Sequence, residues 1–168
     1  MSLVSLCFVI LAGTALPKTA CPVENTIAYS RDTTSGIPPG ARIGDVPQPP
    51  VSTAYFIYLV VKKDTRPNVK CIWLKGKHYA VTLQKVESPV LVEREPAVPT
   101  GEKHVLVPAT SSDVYELQLG NESDCCPNNN DEKRLTQNNE LVVFLRVGRS
   151  TRYCPVETLT RLPPVAGQ

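Results

Sequence analysis

Hydrophobic and polar residues alternate with a period of two along much of this chain, and the alternation sets in sharply at Tyr55. Tyr55-Phe56-Ile57-Tyr58-Leu59-Val60-Val61 is aromatic and β-branched and apolar on both faces, which predicts a central strand. From Val69 to Leu74, Val69, Cys71 and Trp73 share one face, and Lys70 and Ile72 the other. After Lys75-Gly76-Lys77 the alternation resumes at Tyr79, Val81 and Leu83. Two alternating runs about a glycine-bearing turn predict a hairpin. Shorter strands are expected at Pro89 to Glu93, His104 to Val107 and Asp113 to Leu119. Glu140 to Val147 is apolar on both faces and predicts a second core strand. Tyr153 to Leu159 adds an edge strand interrupted by Pro155.

Seven or eight short strands without a helical period predict an all-β fold, an antiparallel β-sandwich or small barrel. Trp73 stands two residues after Cys71 rather than on a later strand, so any immunoglobulin likeness is one of architecture only.

The ends of the chain follow other patterns. Residues 1–15 carry no charge, and the apolar run through Leu11 passes into Ala12-Gly13-Thr14-Ala15. That is the pattern of a secretory signal peptide with a small-residue cleavage site, and it is too short to span a bilayer. Its usual positive start is missing. Residues 16–53 are crowded with proline and glycine and sparse in apolar positions, which predicts an extended leader or tether. The β domain is expected over 54–160, and 161–168 as a disordered tail. The 16 prolines among 168 residues leave little room for long helices. No transmembrane helix is expected in the mature chain.

Charge adds one feature. The net charge is only +2, but residues 62–85 hold seven cations against Asp64, a local +6, with −4 on the rest. Lys62, Lys63, Lys70, Lys75 and Lys77 are therefore candidate anion-binding residues on a basic hairpin. The competing reading is that lysines at strand ends and turns keep exposed edges from pairing with other chains. No nucleic acid is expected as a partner, because neither a recognition helix nor an aromatic RNA-binding motif occurs.

Of the six cysteines, Cys7 would leave with the signal. Five remain, and an odd number in an exported protein calls for an explanation. Cys21, following Ala20, is a candidate for lipidation and hence membrane anchoring, although Lys18 does not suit that motif. Cys71, Cys125, Cys126 and Cys154 would then form two disulfides. A ring between the adjacent Cys125 and Cys126 is strained, so each is expected to pair with a distant partner. Such bridges would pin the polar loop Gly120 to Asn139, expected to be solvated, to the strands carrying Cys71 and Cys154. The loop's Asp124, Asn128 to Asn130, Asp131 and Glu132 are oxygen donors, but not in a calcium-loop order.

Catalytic patterns are missing. His78 and His104 are the only histidines and have no metal-ligand spacing; no nucleophile elbow or phosphate-cradling loop occurs. Neither a metal nor any other cofactor is expected, nor is a catalytic residue identified. The sequence thus favours an exported, non-enzymatic module of the cell envelope or secreted fraction. It would bind a protein, glycan or envelope surface through loops or the basic hairpin. The alternative is a small exported hydrolase with a thiol beside His78 or His104, or with scattered carboxylates that the sequence does not reveal; Glu93 and Glu95, flanking Arg94, have a spacing common on solvated loops.

Overall fold

The computed structural model describes residues 22–34, 51–93, 103–124 and 130–166. The strands are β1 (Val23–Thr34), β2 (Val51–Val61), β3 (Val69–Leu74), β4 (Lys77–Val86), β5 (Val90–Glu93) and β6 (Lys103–Val107). Then come β7 (Asp113–Glu122), helix α1 (Asn130–Asn138), β8 (Leu141–Val147), β9 (Ser150–Val156), β10 (Thr160–Arg161) and β11 (Val165–Ala166). The main sheet runs in the order β10-β1-β2-β7-β4-β3-β8-β9, with β11 also on β1, and curls strongly into a half-barrel. β5 and β6 form a second, two-stranded sheet. The all-β expectation therefore holds.

The period-two pattern explains the layers. Ile57, Leu59 and Val61 of β2 turn inward with Ile72, Leu74, Tyr115, Leu117, Leu141, Val143 and Leu145, and form the main core. The alternate residues Tyr58 and Val60 face outward and are covered by Leu106 and Val107 of β6 and by Leu162. Farther round, the outward Cys71, Val142 and Phe144 pack with Trp73, Tyr153 and Leu135 of α1. β2 and β8 are thus buried on both faces, as their unbroken apolar runs require. Lys75 (φ 45°) and Gly76 (φ 94°) both take positive φ in the β3–β4 turn, the backbone that a two-residue hairpin favours and that glycine adopts without strain.

Three stretches depart from the sequence expectation. Part of the proposed leader is β1, antiparallel to β2 through 11 residue pairs from Val23↔Val61 to Thr34↔Val51. Its alternation is masked because the buried positions next to Ala28 are Ser30 and Arg31, which are polar. The expected tail instead pairs in parallel with β1 through β10 and β11, anchored by the buried Leu159 and Leu162. In the expected solvated loop, β7 continues to Glu122 and α1 follows. Glu132 in its first turn suits the helix dipole, and Glu132 and Leu135, three apart, meet the sheet. The proposed signal peptide, Cys21, Cys125 and Cys126 lie outside the described residues. No described helix is long and apolar enough to cross a membrane.

Candidate anion-binding site

The five candidate lysines do not act as one patch, because strand pairing distributes them between the two ends of the sheet. At the β3–β4 turn, Lys75 Nζ lies 3.7 Å from Glu140 and 6.0 Å from the Tyr55 ring centre. Lys77 Nζ donates to Glu122 Oε2 at 2.8 Å, and this hydrogen bond raises its pKa. Lys85, near the other end of β4, pairs with Asp113 at 2.8 Å. Its hydrogen bond raises the Lys85 pKa and lowers that of Asp113. The acids come from β7 and from the residue before β8, remote in sequence, so the local +6 is largely cancelled around the turn. These exposed pairs add little stability, but they occupy the charges.

At the opposite end the balance differs. Lys62, Lys63, Arg66 and Lys70 are exposed and have no carboxylate within ion-pair distance among the described residues. The β8–β9 turn reaches the same end, fastened there by Arg146 N–H donating to Asn68 O at 2.8 Å. It adds exposed Arg146 and Arg149, and Arg152 on β9. The sequence reading missed these arginines because their proximity comes from the β3–β8 pairing Val69↔Leu145 and the β8–β9 pairing Leu145↔Arg152.

This end also has a recess. β4 pairs with β3 only from Lys77 to Tyr79, then follows β7 as far as Val86. β3 instead follows β8 down to Val69. The strands splay, and the gap is a cleft of about 330 Å³ lined by Arg66, Pro67, Asn68, Val69 and Leu83. Its lining combines the apolar Pro67, Val69 and Leu83 with a guanidinium and an amide. Arg152, in register with Leu145 and so facing inward beside the cleft wall, has its Nε buried without a hydrogen-bond partner. A recess of mixed polar and apolar lining, near cations without an ion-pair partner, suits an anionic group carried on a less polar body.

The other candidates lie elsewhere. Cys71 is fully buried on the outward face, and among the described residues no disulfide joins two cysteines. Cys154 is half-buried and, paired with Val143, points to the inner face. Cys71 and Cys154 therefore lie on opposite faces, two strands apart. His78 is in register with Trp73 on the face carrying Cys71, and its Nε2 is 2.8 Å from Glu132 Oε1 of α1. Cys71 and His78 thus share one face of the sheet, on the adjacent strands β3 and β4. Glu132 is only 4% exposed, so its contact with His78 helps seat the polar helix α1 on the sheet. His104 lies on β6 opposite Val92, remote from Cys71 in the topology. Glu93 ends β5 opposite Lys103, and Glu95 is outside the described residues. No group of three potential metal ligands occurs among the described residues.

No family model, curated protein or solved structure matches the chain.

Proposed function

We propose that this protein is an exported, non-enzymatic β module that holds anionic groups of a glycan or envelope surface at the splayed end of its half-barrel. The observation that carries this reading is the cleft of about 330 Å³ lined in part by Arg66 and Asn68, at the end of the sheet where the cations have no carboxylate within ion-pair distance among the described residues. Lys62, Lys63, Lys70, Arg146 and Arg149 lie toward the same end of the sheet, and Arg152 is in register with the inward-facing Leu145. Lys75 and Lys77 are left out, because Glu140 and Glu122 already hold their charges. Export rests on the apolar first 15 residues, and surface anchoring on Cys21, both read from sequence. A bridge at Cys71, as the cysteine count suggests, would suit an oxidising compartment.

The test is retention of the folded protein on an immobilised sulfated glycan in a salt gradient. Replacing Arg66 and Lys70 with alanine is expected to lower the eluting salt clearly, whereas replacing Lys75 and Lys77 leaves it nearly unchanged. Equal losses in the two double variants would mean that net charge alone is being read. No retention of the unmodified protein at low salt would remove the proposal.

A further inference from the structure

A second feature lies on the outward face of β1, away from the cleft. Arg31 is 5% exposed, yet its Nε and Nη2 have no hydrogen-bond partner, and no ion pair neutralises it among the described residues. Burying a guanidinium without a counter-charge costs several kcal/mol, so an arginine in this setting calls for an anion. The carboxylate of neighbouring Asp32 is used elsewhere, accepting from Thr53 Oγ1 at 2.8 Å.

The two unpartnered atoms matter as a pair. Nε–H and the Nη2 hydrogen on the same edge point in parallel and match the two oxygens of a carboxylate or phosphate. The guanidinium is held for this: its Cζ sits 5.7 Å from the centre of the Phe56 ring. Leu162, whose N–H donates to Ser30 O at 2.8 Å, packs into the same outward cluster.

The β5–β6 hairpin supplies a further group. Tyr29 OH donates to Leu106 O at 2.8 Å and fixes β6 over β1. His104 stands two residues before Leu106 on β6 and so shares its face of the small sheet. His104 opposes Val92, which packs into the outward cluster, and its Nε2 is likewise buried without a partner. Each layer thus carries buried nitrogen atoms without a partner, at Arg31 on the main sheet and His104 on the small one.

We propose that Arg31, with His104 above it, forms an oxyanion pocket that takes a carboxylate or phosphate group by the Nε/Nη2 edge. The pocket is independent of the cleft, and either can fail without the other. The probes are inorganic phosphate and acetate, added to the full chain at constant ionic strength with chloride as reference. The Arg31 Nε–H signal is followed by NMR alongside thermal unfolding. One of the two anions is expected to shift the Arg31 Nε–H signal saturably and raise the melting temperature; which one identifies the headgroup chemistry. Arg31→Met is expected to weaken that binding at least about tenfold while leaving the protein folded in chloride. Arg31→Lys, which keeps the charge but not the fork, is expected to weaken it nearly as much. An Arg31 Nε–H signal unmoved by both anions would overturn the proposal, whether or not the variants fold. So would binding of equal strength in Arg31→Met.

Discussion

Phe144 is the residue whose removal reports most directly on how α1 and the outward face are built. Its side chain is fully buried. It meets Tyr153 edge-to-face at 5.5 Å between ring centres and His78 at 6.2 Å. Leu135 of α1 and Trp73 complete the cluster. Phe144→Ala removes the ring from water-free surroundings that the sheet cannot close, at a cost of about 3–5 kcal/mol. The lost ring–ring contacts, worth about 0.5–1.5 kcal/mol each, place the expected value in the upper part of that range. For a chain of this size that lowers the melting temperature by roughly 2–4 °C per kcal/mol. Urea unfolding followed through Trp73, the only tryptophan, reads the change from inside the same cluster. Val105→Ala, at a side chain 54% exposed on β6, is the control and is expected to change stability by less than about 0.5 kcal/mol. A Phe144→Ala loss below about 1 kcal/mol would refute the packing of α1 against β8 described above.

Other predictions concern single contacts. Tyr29→Phe removes the hydrogen bond to Leu106 O and is expected to cost about 0.5–1.5 kcal/mol, with hydrogen exchange speeding up in β5 and β6 before the main sheet. Tyr58 is buried beside Glu116, and burial, then the Glu116 charge, raises its pKa above the unfolded 10.0. The neutral phenol therefore contributes stability that is complete below pH 10 and declines as pH rises above it, and Tyr58→Phe is expected to flatten that part of the stability profile. The Asp113 pKa is lowered from 3.8 by the Lys85 hydrogen bond. Its contribution is present above that value and lost as pH falls through the lowered one, so Asp113→Asn is expected to reduce the acid slope of unfolding.

The strands from Tyr55 onward were legible because each carries a period-two pattern or an unbroken apolar run. β1 was not legible, and the reason is chemical: its buried positions include Ser30 and Arg31, which a reading of hydrophobicity takes for solvent-facing. Local pattern fails there at the residues with unpartnered donors, where a functional constraint on the sequence is expected. α1 was hidden for a related reason, since its contact residues are one leucine and one glutamate. The anion-binding candidates were half legible. Lys62, Lys63 and Lys70 could be counted from sequence, but the pairing of Lys75 and Lys77 with Glu140 and Glu122 depends on strand register. The same holds for the arrival of Arg146, Arg149 and Arg152 at the end of the sheet that carries Arg66. Neither can be read from spacing along the chain.

The most direct test of the cleft reading is an amide chemical-shift titration of the full chain with a sulfated oligosaccharide. The account predicts saturable shifts over 62–70, at Leu83 and over 146–152, with the β3–β4 turn at 75–77 unmoved. Shifts centred on Lys75 and Lys77, or no saturable shift at low salt, would contradict it.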